Sequence, residues 1–185
     1  MKLSRKSVYA ISALAATMII PVVVSAGNAS AETRVIAEQA HTRGTDANYI
    51  GGGVAAGITN GGQDGDAANL GINIQGRLTT PQAPVSLRGA VLAGEETTAI
   101  MPILSYDVGV TKNTNVYVGG GYSFVEEDGK PSPLGNRDSV VLTAGAETEF
   151  AHNIVGYTDV KVGINAYENS PAEAVSLQAG VGYSF

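Results

Sequence analysis

Between Leu70 and Leu78 the chain alternates without a break: Leu70, Ile72, Ile74, Gly76 and Leu78 fall on one side, and Gly71, Asn73, Gln75 and Arg77 on the other. A period of two is the signature of a strand with unlike faces. The same alternation predicts strands near 48–59, 67–79, 84–94, 98–111, 115–125, 139–150, 153–167 and 173–185. Turn-forming residues separate them: Asn60-Gly61-Gly62, Pro81 to Pro84, Lys112-Asn113-Thr114, Glu126 to Asp138, Ala151-His152-Asn153 and Asn169-Ser170-Pro171. Each segment runs 11–15 residues, longer than the usual strand and close to what a tilted strand needs to cross a bilayer. Pro102 lies inside the fourth segment and has no N–H for a ladder. The paired part of that strand is therefore expected to begin after Pro102, with a bulge at the rim as the alternative.

Three features decide which face points outward. First, apart from Glu173 at the very start of the last segment, all seven charges within the segments, Arg77, Arg88, Asp107, Glu147, Glu149, Asp159 and Lys161, fall on the polar face. The rest of that face is mostly Gly, Ser, Thr and Asn, too poor in charge for a water-washed surface. Second, that face is rich in glycine, including Gly51, Gly53, Gly119, Gly121, Gly145, Gly180 and Gly182. Glycine there makes room for large side chains in a narrow interior. Third, Tyr122, Phe124, Phe150, Tyr183 and Phe185 lie on the apolar face near strand ends, where an aromatic girdle would meet headgroups. The pattern predicts an all-β, eight-stranded antiparallel barrel with its apolar face toward lipid. Its lumen would be plugged by hydrogen-bonded charges, three cations against four anions, rather than left open.

The start of the chain has a different character. Lys2, Arg5 and Lys6 precede the uncharged apolar run Val8 to Val24, and Ala29-Ser30-Ala31 supplies small residues before Glu32. This is the pattern of a cleavable export signal over 1–31, cut near Ala31. Residues 32–47 are expected to form a flexible periplasmic lead-in, with a short strand at Thr33 to Ala37 as a variant, and 48–185 to form the barrel. Losing the three cations of 1–31 takes the net charge from −6 to about −9. That balance argues against nucleic-acid binding. With no cysteine, there is no thiolate metal site, thiol nucleophile or disulfide.

The last strand reads Ala174-Val175-Ser176-Leu177-Gln178-Ala179-Gly180-Val181-Gly182-Tyr183-Ser184-Phe185. Leu177, Val181, Tyr183 and the terminal Phe185 resemble the C-terminal assembly signal of bacterial outer-membrane barrels. Together with the export signal and eight strands, the chain is similar to the small eight-stranded outer-membrane barrel family, typified by OmpX and the barrel domain of OmpA. The resemblance implies a bacterial outer-membrane location and a monomer. Outer-membrane lipid and lipopolysaccharide would be its surroundings, with periplasmic chaperones and the barrel-assembly machinery as partners. It also implies that both barrel termini lie in the periplasm. The connections near 60–66, 94–97, 126–138 and 168–172 then face outside, and those at 80–83, 112–114 and 151–153 are periplasmic turns. No peptidoglycan-binding domain is expected after Phe185.

Candidate chemistry is sparse. The predicted outer rim is acidic, with Asp64, Asp66, Glu95, Glu96, Glu126, Glu127, Asp128, Asp138, Glu168 and Glu173 against Lys130 and Arg137. It reads more readily as a solvated surface than as a cation site. Gln63-Asp64-Gly65-Asp66 lacks the ligand spacing of a calcium loop. His41 and His152 have no serine or acid partner at recognisable spacing, so no catalytic residue, metal site or cofactor is expected. Glu147 and Glu149 share the inner face and read as partners of Arg77, Arg88 or Lys161. The leading expectation is a non-enzymatic barrel with a structural or surface-interaction role. A narrow porin-like channel is the first alternative, a lipid-modifying enzyme the second, and a soluble periplasmic β-protein the third.

Overall fold

The computed structural model describes residues 44–61, 69–80 and 82–185. The export signal, most of the 32–47 segment, His41, and the acidic pair Asp64 and Asp66 lie outside the described residues. Eight strands follow one another: β1 (Tyr49–Gly57), β2 (Asn69–Thr79), β3 (Val85–Ala93), β4 (Thr98–Thr111), β5 (Thr114–Val125), β6 (Ser139–Ala151), β7 (Ile154–Ile164) and β8 (Ala174–Ser184). Each pairs with the next, antiparallel, and β8 returns to β1 to close the barrel. The closing seam runs from Tyr49↔Ser184 to Gly57↔Ser176. Closure leaves no exposed edge of unpaired N–H and C=O groups.

The pleat converts the sequence alternation into an inside and an outside. Ile50, Val54, Leu70, Ile72, Leu78, Leu87, Ile100, Leu104, Val118, Leu142, Leu177 and Val181 are exposed on the wall, while Asn73, Gln75, Arg77, Arg88, Glu147 and Lys161 are buried. No charged side chain stands on the outer face of any strand. Along β4 the outward row runs from Ile100 to Val110, about 33 Å at roughly 3.3 Å per residue. A strand tilt of roughly 35–45° projects that to about 25 Å, the height of the apolar band on barrels that span membranes. Tyr122 and Phe124 pack together with ring centroids 4.9 Å apart at the end where β5 finishes. Phe150, Tyr183 and Phe185 are exposed at the other end.

The two ends differ. Short turns join β2–β3, β4–β5 and β6–β7 at the turn end, beside Tyr49 and Ser184. The connections after β1, β5 and β7 at the loop end are longer, whereas the one after β3, at 94–97, is as short as the turns. Two ladder shifts occur near the turn end, between Gly109 and Thr111 and between Glu149 and Ala151.

Three expectations need correction. The paired strand does not begin after Pro102. β4 starts at Thr98, and Pro102 faces outward opposite Gly89 in an unbroken β3–β4 ladder. The cost appears on the other side: the β4–β5 ladder has Ile100↔Phe124, omits Met101 and Pro102, and resumes in the same register at Ile103↔Gly121. A residue in an antiparallel ladder points its N–H at one neighbour only, so proline interrupts one ladder and spares the other. The last strand ends at Ser184, though the Phe185 N–H still donates to the Asn48 carbonyl at 2.9 Å. Residues 44–48 are also tied down, as the lumen shows next.

Candidate functional site

Among the described residues, the buried charges gather in the lumen. It has two halves of unlike composition.

In the turn half, Arg77 on β2 and Arg88 on β3 stand opposite each other in the ladder. Two like charges at that spacing repel unless anions are inserted between them. Asp107 on β4 and Glu147 on β6 supply those anions. Arg77 reaches Asp107 at 2.9 Å and Glu147 at 3.0 Å; Arg88 reaches Asp107 at 3.0 Å and Glu147 at 2.8 Å. Each carboxylate therefore bridges both guanidiniums. Neutral groups complete the shell. The Arg77 Nε donates to Ser86 Oγ, the Arg88 Nε to Ser105 Oγ, and the Tyr49 hydroxyl to Glu147. Ser86 also hydrogen-bonds the Asp107 carboxylate. The Arg88 guanidinium lies 3.6 Å over the Tyr117 ring, a favourable cation–π placement.

A second pair completes the charge balance. Lys161 Nζ is 2.6 Å from Asp159, and also donates to Gln75 and Gln178. Tyr117 donates to Asp159 at 3.0 Å, and Gln75 donates to the Tyr49 hydroxyl at 3.2 Å. These bonds join the two charge groups into one network of three cations and three anions, each no more than 8% exposed.

Glu149 stands apart from the network in which the sequence reading placed it. It makes no ion pair with Arg77, Arg88 or Lys161. The ladder shift beside it leaves it half-buried at the rim, where it accepts a hydrogen bond from Thr45 at 3.3 Å. Residues 44–48 cross the turn-end mouth as a cork rather than a flexible lead-in. The Thr45 and Ala47 carbonyls accept from Arg77 at 3.2 Å each, and Thr45 also accepts from Asn115 at 2.8 Å. Beside this cork a polar cleft of about 130 Å³ reaches Arg77, Ser86 and Asp107 from outside.

Among the described residues, the loop half of the lumen holds no charged side chain. Ala55, Leu92, Met101, Ile103, Val141 and Ala174 project inward there and pack on Leu134. Leu134 comes from the long 126–138 connection at the loop end. Ser132 to Asn136 fold back into the mouth and are buried. A turn closes the plug, with Ser132 N–H donating to the Gly135 carbonyl at 2.9 Å, and Gly135 adopts φ +96°. Asn136 N–H ties it to Ala166 at 2.9 Å. Glycines seat it: a Cβ at Gly57 would lie 2.8 Å from the Pro133 carbonyl oxygen, and one at Gly71 2.8 Å from the Pro133 ring. Beside the plug, Tyr167 donates to the Thr59 carbonyl at 2.5 Å, and burial pushes its phenol above the ordinary value.

This apolar half is not evident from strand alternation alone. Its signal is the run Ala99-Ile100-Met101-Pro102-Ile103-Leu104, apolar on both faces, as expected of a strand with lipid outside and an apolar core inside. His152 is exposed in the β6–β7 turn. Among the described residues no cluster of three metal-ligating side chains occurs.

No family model matches the chain, and no curated protein is similar to it in sequence. Solved structures do match in shape. Neisserial surface protein A aligns with a TM-score of 0.54 and 12% identity over 75% of this chain and 97% of that one. The N-terminal barrel domain of Pseudomonas aeruginosa OprF aligns at 0.53 and 14% identity over 77% of this chain and all of that one. Ail, the attachment invasion locus protein of Yersinia pestis, aligns at 0.52 and 14% identity over 76% of this chain and all of that one. A de novo designed transmembrane β-barrel reaches 0.53 at 12% identity. At such identities the likeness establishes the fold alone: a small transmembrane up-and-down barrel of eight strands.

Proposed function

We propose that the chain is a sealed barrel of the bacterial outer membrane with a structural or surface-interaction role, and neither a conduit nor an enzyme. The carrying observation is that both halves of the lumen are filled, one by a balanced ionic network and the other by the Pro133–Leu134 plug. A solute entering from either end meets buried side chains. The uncharged outer wall of about 25 Å supports immersion in lipid. Export would follow signal cleavage near Ala31, placing the turn end in the periplasm and the four connections of the loop end outside. The exposed row Leu177, Val181, Tyr183 and Phe185 supports recognition of β8 by the barrel-assembly machinery after escort by periplasmic chaperones. The same wall suits a monomer immersed in lipid and lipopolysaccharide. Two of the structural neighbours are named for attachment and for the cell surface, which agrees with a surface role. The buried carboxylates of Asp107 and Glu147 are each held by two guanidiniums, which leaves neither free as a general base.

Planar-bilayer recording tests the reading. Purified protein is expected to give no stable unitary conductance. Large, reproducible and ion-selective steps would replace the sealed barrel with a narrow channel.

A further inference from the structure

Among the described residues, the ion-bearing side chains of the lumen are all paired, yet five other buried polar atoms are not: the hydroxyls of Ser123, Ser139, Thr143 and Ser176, and the amide nitrogen of Gln178. All five lie on the β5–β8 side of the wall. Three of them border one residue. Thr143 and Ser176 stand directly opposite Lys161 on its two neighbouring strands. Gln178 is the next inward residue along β8, and its carbonyl oxygen accepts from Lys161 at 3.1 Å and Asn73 at 2.9 Å. Its NH2 group is left over. The three residues are 0–5% exposed.

Two hydroxyls and an amide NH2 around one lysine stem all have hydrogens to donate, so their occupant must accept. Leaving them unpaired in a close-packed interior is disfavoured. The Lys161 charge is already balanced by Asp159 at 2.6 Å, so an anion would leave a net buried charge, whereas a neutral acceptor would not. Toward the loop end the next inward residues on these strands are Val141 and Ala174, members of the apolar cluster that holds Leu134, and toward the turn end Lys161 is followed inward by Asp159 and Tyr157. We propose that Thr143, Ser176 and Gln178 form an internal hydration site holding water at the boundary between the two halves of the lumen. Such water bridges buried polar groups with two to four bonds and belongs to the fold.

The test uses the full barrel in detergent micelles with methyl-labelled threonine. A water–methyl cross-relaxation peak is expected at Thr143, unchanged by a water-soluble paramagnetic agent that cannot enter a sealed lumen. Thr143→Val keeps the shape and removes the hydroxyl; it should lower the midpoint of the heat-dependent gel-mobility shift by about 2–4 °C. Ser176→Ala provides a second reading if the first variant assembles poorly. An absent peak, or an unchanged or raised midpoint in both variants, would mean the groups are dry and would overturn the proposal. Quenching by the agent would replace the closed site with an open path. A saturable shift of the Thr143 signal on titrating chloride would replace water with an anion.

Discussion

Arg88 and Leu134 are equally inaccessible, at 2% and 0% exposure, in the same lumen, yet they are held by opposite physics. Around Arg88, order comes from charge: two guanidiniums and two carboxylates, each touching both of its opposites. The pairing offsets the desolvation of four ions, and its net stabilisation is small. What it supplies is intolerance of error, because losing one member strands the others. Around Leu134, order comes from apolar contact, which degrades in proportion to the atoms removed. The ionic half joins β2, β3, β4 and β6 to the 44–48 cork. The apolar half joins the strands to a loop. One half is brittle and the other graded.

The largest effect should come from breaking the brittle half. Glu147 receives bonds from Arg77, Arg88, Tyr49 and Asn115. Glu147→Leu leaves two buried guanidiniums sharing one carboxylate. We expect a loss of about 3–5 kcal/mol in urea unfolding from lipid vesicles. Pairing it with Arg88→Leu should recover part of that loss, because the cluster returns to one cation and one anion. A double variant no better than the single one would show that the network is not a charge-balanced unit.

The graded half should respond less. Leu134→Ala removes the centre of the plug while the loop end remains free to settle, so about 2–3 kcal/mol is expected, toward the low end for a buried leucine. This variant also sharpens the comparison, because the ionic half lies in series with the plug. Emptying the loop half should leave bilayer conductance at background. Conductance from Leu134→Ala alone would mean that the turn half is not a seal.

These halves were unequally legible. The ionic half could be anticipated because a charge on the polar side of an alternating strand has only the lumen to enter. Arg77, Arg88, Asp107, Asp159, Lys161 and Glu147 all read that way. Glu149 escaped because a ladder shift at the rim has no marker in the local alternation. The plug escaped because Lys130 to Arg137 carries no period at all. Its turn residues suit an outward loop as well as an inward one, and only the glycine seat, built from positions 57 and 71 distant in sequence, selects between them. Pro102 misled because the rule against proline in a closed sheet counts N–H groups, whereas a barrel tolerates one missing bond when the register holds on both sides.

The seat itself gives a smaller effect and a control. At Gly57 an added methyl would press on the Pro133 carbonyl oxygen. Gly57→Ala must move the plug or the strand, an overpacking cost of about 1–3 kcal/mol. It should add nothing to Leu134→Ala, since both act by unseating the same loop; independent additivity in a double-mutant cycle would separate them.

Gly89 is the matching case on the outer wall. It stands between Gly76 and Pro102 in the ladders, and an added Cβ would meet nothing within 4 Å. There the side chain enters lipid, no plug contact is altered, and the strand loses a flexible residue. Gly89→Ala should therefore be neutral or stabilising by under about 1 kcal/mol. The same chemical change, one methyl on a strand glycine, is thus expected to change sign between positions 57 and 89 because one faces the plug and the other faces lipid. A clear loss at Gly89 in the vesicle unfolding assay would mean that its outer surface is covered by something other than acyl chains, which would contradict the monomeric barrel proposed above.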